Sequence, residues 1–189
     1  MTVAAALEQV ILIDGDNHPI GRAEKLRAHR EARLHRAFSV FVFDERGELL
    51  LQRRALGKYH SGGRWSNTCC GHPRPGEEVL EAATRRLQEE MGFSCALVPA
   101  FDFRYRARVG PDLHEHEHDT VLVGRSAEIP EPDPAEVAEW RHAGLGALRS
   151  ELRLRPNRYT VWLRLLLARR YADLSGAMRT LLGWREATR

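Results

Sequence analysis

Apolar and polar positions along the chain predict a series of strands followed by helices. Residues 8–14, 38–44 and 48–53 are short apolar runs rich in Val, Ile, Leu and Phe, and such runs are typical of buried strands. A turn at residues 15–17 ends the first run, and residues 45–47 join the other two as a hairpin. A layered sheet is therefore expected near the start of the chain.

The strongest helix prediction covers residues 77–91. Val79, Leu80, Ala83, Leu87 and Met91 recur at helical spacing, and Gly92 is positioned to end the helix. The other predicted elements are a helix-compatible segment at 23–33, a loop at 56–64, strands at 65–70, 101–109, 115–124 and 137–142, a proline-rich loop at 129–134, and helices at 145–152 and 159–174. This order predicts an α+β fold with an α/β/α layered arrangement, in which helices flank a mixed central sheet.

Composition narrows the class of protein. The chain has 189 residues, enough for one sizeable core, and 29 basic against 26 acidic residues give a net charge of only +3, which argues against a dedicated nucleic-acid binder. No apolar run is long enough for a transmembrane helix, and a basic secretory n-region is missing, so no membrane insertion is expected. Three cysteines, two of them adjacent, favour free thiols in a reducing cytoplasm.

Glycine, glutamate and arginine residues keep a fixed spacing between the strand at 65–70 and the end of the main helix. The set comprises Gly71, Glu77, Arg85, Leu87, Glu89, Glu90, Gly92 and Phe93. This spacing resembles the Nudix box, a loop–helix–loop that holds a divalent cation against a diphosphate. The charged pairs alone would indicate a solvated helix face, but Gly71 and Glu77 in register favour the Nudix resemblance.

Arg86 marks a departure from that pattern. Hydrolytic Nudix boxes have a glutamate directly after the box arginine, and here that position is Arg86. Arg86 and Glu90 are one helical turn apart and are expected side by side. A guanidinium there can bind a phosphate through two hydrogen bonds, so the sequence predicts a site that holds a diphosphate without cleaving it.

Three further segments make the resemblance specific. They are residues 34–39 (LHRAFS), residues 65–73 (WSNTCCGHP), and residues 103–106 (FRYR) followed by Glu115 and Glu117. Together they resemble the type 1 isopentenyl-diphosphate delta-isomerases, a Nudix-fold family, from about residue 10 to residue 174. The resemblance implies one Nudix-type catalytic domain over residues 1–189, with residues 175–189 as a C-terminal tail. It also implies a reaction in isoprenoid biosynthesis that interconverts isopentenyl and dimethylallyl diphosphate by protonation and deprotonation through a tertiary carbocation.

The resemblance implies a role for each matched residue. One metal site, for Mn²⁺ or Zn²⁺, would consist of His29, His35, His72, Glu115 and Glu117. A Mg²⁺ site would use Glu90, the main-chain carbonyl of Cys70 and the substrate phosphates. The catalytic residues would be Cys70 and Glu117, assisted by Tyr105 and Trp162, and the substrate-binding residues would be Lys25, Arg54, Lys58 and Arg86. A small-molecule diphosphate is the expected partner.

Strand alternation supports part of this assignment. Because residues two apart share a face of a strand, Glu115 and Glu117 are expected to point the same way, and Cys69 to point away from Cys70. Arg54 is preferred over Arg53 as a substrate-binding residue for the same reason, since adjacent strand residues face opposite sides. The same alternation places His114, His116 and His118 on the opposite face, as a rival Zn²⁺ site. Two other functions stay open: a Nudix hydrolase of a nucleoside diphosphate derivative, and a non-catalytic protein that binds diphosphate or stores metal.

Overall fold

The computed structural model describes residues 8–183. Its strands are β1 (Gln9–Ile13), β2 (Pro19–Glu24), β3 (His35–Phe43), β4 (Glu48–Arg54), β5 (Trp65–Ser66), β6 (Cys69–Gly71), β7 (Leu97–Arg108), β8 (His114–Arg125) and β9 (Val137–Gly144). Its α-helices are α1 (Lys25–Arg30), α2 (Val79–Met91), α3 (Leu145–Leu154), α4 (Val161–Arg169) and α5 (Tyr171–Leu181). The strands form one mixed sheet.

Strand β3 organises the sheet. It pairs antiparallel with β1, β4 and β6, and parallel with β8 over its whole length. Strand β8 in turn pairs with β7, and β4 pairs with β5 and β9. The ends of β3, β6 and β8 thereby meet at one edge, where most of the predicted functional side chains lie.

Both faces of β3 are buried, which explains its nearly continuous apolar sequence. Phe38, Val40 and Val42 pack in one core with helix α2, whereas Phe41 and Phe43 pack in a second core with helices α3, α4 and α5. The sheet is thus covered by helices on both sides. The α/β/α layered α+β prediction is confirmed.

Helix α2 packs through small and apolar residues on one face. Ala83, Leu87 and Met91 are completely buried, while Leu80 is 44% exposed and contributes little to the core. Gly92 ends the helix in the left-handed conformation, with φ of 78°, and its N–H donates to the Gln88 carbonyl. Gly92 therefore stops the helix as the sequence predicts.

Three predicted elements differ from the structure. The helix-compatible segment at 23–33 contains the end of β2 and the short helix α1, and the strand at 65–70 is divided into β5 and β6. The long helix at 159–174 begins after a 3₁₀ turn and breaks at Arg170, so that α4 and α5 are separate.

Helix α5 extends the folded domain beyond residue 174, where the predicted core ends. It continues to Leu181, and Met178 is buried in the core beside Leu174, so residues 175–181 are not a tail. Residues 184–189 of the predicted tail lie outside the described residues.

Candidate active site

A cleft lies at the sheet edge where β3, β6 and β8 meet. The predicted side chains that line it are Lys25, Arg54, Lys58, Cys70, His72, Arg86, Glu90, Tyr105, Glu115, Glu117 and Trp162. The two remaining predicted residues, His29 and His35, are fully buried directly behind Glu115 and Glu117. Residues far apart in the sequence are thus brought together around one pocket.

Five buried side chains converge at one side of this cleft. One ligand atom from each of them lies within 4.8 Å of all the others, and the five residues are His29, His35, His72, Glu115 and Glu117. Helix α1 supplies His29, β3 begins with His35, His72 follows β6, and β8 carries both glutamates. Alternation along β8 points the two carboxylates the same way, as the sequence predicts.

The hydrogen bonds of the imidazoles fit a divalent cation at this cluster. The Nδ1 atoms of His29 and His35 lie 2.7 and 2.8 Å from the main-chain carbonyls of Lys25 and Arg33, so each Nδ1–H donates there and each Nε2 presents a lone pair. The Nε2 atoms of His35 and His72 are only 3.2 Å apart. Burial lowers the pKa of His72 to about 4, so its ring is neutral as a metal ligand must be.

Buried atoms at this cluster also lack partners within the protein. His29 Nε2 and Glu115 Oε2 are 3.1 Å apart, and neither has a hydrogen-bond partner. Imidazole nitrogens combined with carboxylate oxygens are a donor set that Mn²⁺ and Zn²⁺ both accept. The residues present therefore fit a divalent metal.

The rival site on the opposite face of β8 is not formed. His116 Nδ1 lies 2.9 Å from the Ala32 carbonyl, while His118 faces Asp102 at 3.6 Å. In the described part of the chain, clusters with metal-binding geometry do not include His114, His116 and His118 together. That alternative prediction is wrong, and His116 and His118 turn to different neighbours.

Glu117 is held from both sides. The Tyr105 hydroxyl donates to Oε2 at 2.6 Å, and His72 Nε2 lies 3.0 Å from Oε1. Although burial opposes ionisation and Glu115 repels it, the nearby His35 and His72 rings lower the pKa of Glu117. Burial raises the pKa of Tyr105 well above its ordinary value, so this hydroxyl remains a donor.

Cys70 faces the cleft and Cys69 does not. The Cys70 thiol donates to Asn67 Oδ1 at 3.1 Å and lies 3.8 Å from Ser39 Oγ, whereas Cys69 is completely buried in the core beneath α2. Burial, reinforced by the negative charges of Asp119 and Glu90, raises the pKa of Cys70 to about 12. The group is therefore a thiol at neutral pH.

Trp162 forms a wall of the same cleft. Its indole N–H lies 3.0 Å from Ser66 Oγ and 3.2 Å from Asn67 Oδ1, so both oxygens accept from it. Asn67 thereby connects the indole with the Cys70 thiol. The guanidinium of Arg54 lies 5.3 Å from the centroid of the indole ring, a distance typical of cation–π contact.

Both lysines of the chain are paired with carboxylates in the pocket region. Lys25 Nζ lies 2.8 Å from Glu8 Oε2, and Lys58 forms an ion pair with Glu136. Arg53, by contrast, points away from the cleft and bonds to the Gly63 carbonyl and Glu139. The alternation that distinguishes Arg53 from Arg54 is therefore as predicted.

Helix α2 carries the Nudix-like box and has two adjacent arginines. Arg85 has a structural role, and Arg86 faces the pocket. Arg85 bonds to Glu77 at 2.7 and 2.9 Å and ties the loop to the helix. Arg86 bonds to Glu90, as one helical turn predicts, and also contacts Glu89 and Glu136. The second carboxylate oxygen of Glu90 accepts from Gln52 at 2.9 Å.

The structure adds residues that the sequence did not single out. Ser39 donates to Asp119 at 2.8 Å, and His60 and Tyr59 line the cleft. Strand pairing opposite Cys70 and the two-residue spacing after Glu117 were usable signals for Ser39 and Asp119. His60 lies in an irregular loop at 55–64, where no periodic pattern identifies it.

Several known proteins are similar to this chain in sequence. Residues 33–171 match the NUDIX domain. The isopentenyl-diphosphate Delta-isomerase of Burkholderia multivorans is 54% identical over 162 residues, covering 86% of this chain and 92% of that protein. The Streptomyces griseus protein of the same name is 55% identical over 134 residues, covering 68% and 66%.

Solved structures show the same fold at low sequence identity. DR0079 from Deinococcus radiodurans superposes with a TM-score of 0.73 at 20% identity, over 87% of this chain and 99% of that one. The MutT protein from Methanosarcina mazei has a TM-score of 0.61 at 18% identity, over 75% and 95%. Among the described helices, none has the length and apolar character needed to cross a membrane.

The likeness in sequence covers most of both the chain and its Burkholderia relative. This chain belongs to the Nudix family and, within it, to the isopentenyl-diphosphate Delta-isomerases.

Proposed function

We propose that this protein interconverts isopentenyl diphosphate and dimethylallyl diphosphate, a step of isoprenoid biosynthesis, in the cytoplasm. The observation that carries the proposal is the placement of a protonated thiol, Cys70, and a carboxylate, Glu117, in one cleft with four cationic side chains. The three free cysteines of the described chain support a reducing compartment.

The cationic side chains hold the diphosphate. Lys25, Arg54, Lys58 and Arg86 line the same cleft, and each can donate to phosphate oxygens. Glu90 and the main-chain carbonyl of Cys70 would hold Mg²⁺, which would supply positive charge for the substrate diphosphate. The His/Glu cluster would hold Mn²⁺ or Zn²⁺, whose charge would alter the acidity of Glu117.

The reaction moves one double bond and consumes no other reactant. One group of the Cys70–Glu117 pair gives a proton to the terminal alkene carbon, which leaves a positive charge on the tertiary carbon. The other group takes a proton from the neighbouring carbon, and the double bond forms there. Tyr105 keeps the Glu117 carboxylate oriented through its 2.6 Å hydrogen bond.

The cationic intermediate needs an electron-rich wall and little water. Trp162 is 5% exposed and presents its indole to the cleft. A cation over an indole face is stabilised by about 2 kcal/mol when both are desolvated. Two hydrogen bonds from the indole N–H to Ser66 and Asn67 keep the ring in place.

A hydrolase acting on a nucleoside diphosphate derivative is the competing function. The position that supplies a metal-binding glutamate in hydrolytic boxes is Arg86, and its guanidinium is bonded to Glu90. Arg86 also contacts Glu89, so one arginine partly neutralises two carboxylates of helix α2. This arrangement favours retention of the diphosphate over its cleavage.

Incubation with isopentenyl diphosphate and Mg²⁺ in D₂O tests the proposal. We expect deuterated dimethylallyl diphosphate and no released phosphate, detected by proton and phosphorus NMR. Released phosphate would support the hydrolase, and neither product would indicate a binding protein. Glu117→Gln should lower the rate of deuterium incorporation by about 10² to 10⁴-fold, the range for loss of a general acid or base.

A further inference from the structure

A sixth polar side chain lies against the metal-ligand cluster without belonging to it. His60 is 8% exposed, and its Nε2 lies 3.1 Å from Glu115 Oε1. It is not part of the group whose ligand atoms all lie within 4.8 Å of one another. Its position is that of a neighbour to a ligand, with its ring centroid 6.1 Å from that of His29.

The two oxygens of Glu115 have different surroundings. Oε1 faces His60, whereas Oε2 faces the lone pair of His29 Nε2 at 3.1 Å and has no hydrogen-bond partner. Only Oε2 is therefore free to bind a cation. A carboxylate whose second oxygen is occupied by a donor binds a metal through one oxygen in a fixed orientation.

The contacts of the His60 ring agree with a donor at Nε2. Nδ1 lies 3.3 Å from Ser61 Oγ, which can donate to it and leave the proton on Nε2. The ring also meets the indole of Trp162 edge to face, with centroids 5.8 Å apart and planes at 89°. One side chain of the 55–64 loop thus touches both the carboxylate and the aromatic wall.

We propose that His60 is a positioning residue that donates from Nε2 to Glu115 Oε1 and holds Glu115 as a one-oxygen metal ligand. The same ring packs against Trp162, so the loop fixes the distance between the metal centre and the aromatic wall. This inference rests on the proposed role of Glu115 as a metal ligand. Loss of such a partner lowers metal affinity by about 10 to 100-fold.

Metal binding by chelator-treated full-length protein provides the test. The Kd for Mn²⁺ is measured by calorimetry, and the visible spectrum of Co²⁺ reports the ligand geometry. We expect His60→Ala to weaken Mn²⁺ binding about 10 to 100-fold and to change the Co²⁺ spectrum. His60→Gln retains an amide donor near the Nε2 position, so its Kd should lie between that of His60→Ala and that of the original protein.

His142 offers a matched control because its ring meets Trp140 edge to face at the same centroid distance, 5.8 Å. His142→Ala should leave both readouts unchanged. A His60→Ala protein that folds and keeps the original Kd and spectrum would overturn the proposal. Glu115→Gln serves separately: if it binds Mn²⁺ normally, the metal centre itself is wrongly assigned.

Discussion

Cys69 and Cys70 show how one step along a strand separates a core side chain from one that faces the cleft. Cys69 points into the core beneath α2 and is completely buried. Cys70 points into the cleft, where Asn67 accepts from its thiol. Identical chemistry therefore has two different environments at adjacent positions.

Replacing each thiol should reveal this difference. Cys70→Ala removes the thiol that we propose transfers a proton, so we expect kcat to fall by about 10² to 10⁴-fold with the fold preserved. Cys69→Ala leaves a small cavity and should reduce stability while kcat stays within a few-fold. Steady-state kinetics and thermal unfolding distinguish the two effects. Near-normal turnover in Cys70→Ala with loss in Cys69→Ala would contradict the assignment.

The two lysines offer a second prediction at this scale. Lys25 and Lys58 are the only lysines among 29 basic residues, and both line the cleft. Their side chains are 18% and 20% exposed, so a planar guanidinium has little room beside the paired carboxylates. We expect Lys25→Arg and Lys58→Arg each to raise KM roughly tenfold, about 1.4 kcal/mol. Arg53→Lys, outside the cleft, should leave KM unchanged.

The ionisation of Glu8 should make the free energy of unfolding depend on pH in the acid range. Burial opposes its ionisation, but the Lys25 ammonium outweighs this and lowers the pKa of Glu8 to about 2 from 4.5. The contribution is fully present above the unfolded pKa and is lost as the pH falls from about 4.5 through 2. Glu8→Gln should remove up to about 1 kcal/mol at neutral pH and flatten this acid dependence.

Urea unfolding between pH 2 and 7 measures this effect. Glu45→Gln is a suitable control because Glu45 pairs with Arg125 at the surface, with 70% of its side chain exposed. The same pH slope in Glu8→Gln and in the unchanged protein would show that the Glu8–Lys25 pair contributes nothing.

Residues on regular elements were predictable, and residues in loops were not. Strand alternation is enough to distinguish Cys70 from Cys69 and Arg54 from Arg53, and the cleft contains the expected member of each pair. His60 was missed because its contact with Glu115 joins a loop to a strand 55 positions later, and local spacing carries no information about such a contact. The pairing of Lys25 with Glu8 was missed for the same reason.

At the scale of elements, apolar runs were more informative than polar segments. The β3–β4 hairpin and helix α2 have strong periodic patterns and were placed to within a few residues. Strand β2 was missed because most of its side chains are exposed and its sequence, PIGRAE, lacks an apolar face. The break between α4 and α5 has neither glycine nor proline to signal it.

Gly92 gives the prediction that belongs to this scale. Its φ of 78° is left-handed, and a Cβ there would overlap the main-chain oxygen of Glu131. Gly92→Ala should lower the free energy of unfolding by about 1 to 3 kcal/mol. Gly146→Ala, inside α3 with open space around it, should instead stabilise by up to about 1 kcal/mol. Denaturant midpoints for both variants check this; equal shifts would refute it.

At the scale of the molecule, one strand joins two cores. Alternate residues of β3 belong to the α2 core and to the core of α3, α4 and α5. The cleft lies where this strand begins, so its geometry depends on packing on both sides of the sheet. Met178 in α5 extends that second core toward the end of the chain.

Binding of inorganic diphosphate is a prediction at the scale of the whole molecule. Calorimetric titration should show binding with Mg²⁺ present and at least tenfold weaker binding with a chelator, a difference of about 1.4 kcal/mol. Equal affinity in both conditions would contradict a metal-dependent site. With Mg²⁺ present, the Arg86→Glu variant should bind diphosphate more weakly than the unchanged protein.

The charge of the cleft lining explains why diphosphate binding should depend on a metal ion. Four cationic side chains, Lys25, Arg54, Lys58 and Arg86, face four carboxylates, Glu8, Glu90, Glu115 and Glu117. With neutral histidines these charges cancel, so the protein lining by itself exerts almost no net pull on an anion. The pocket is therefore neutral until divalent cations bind. We expect the diphosphate to bind together with its cations. We therefore expect the charge balance of the pocket, and not its shape alone, to disfavour anions that arrive without a divalent cation.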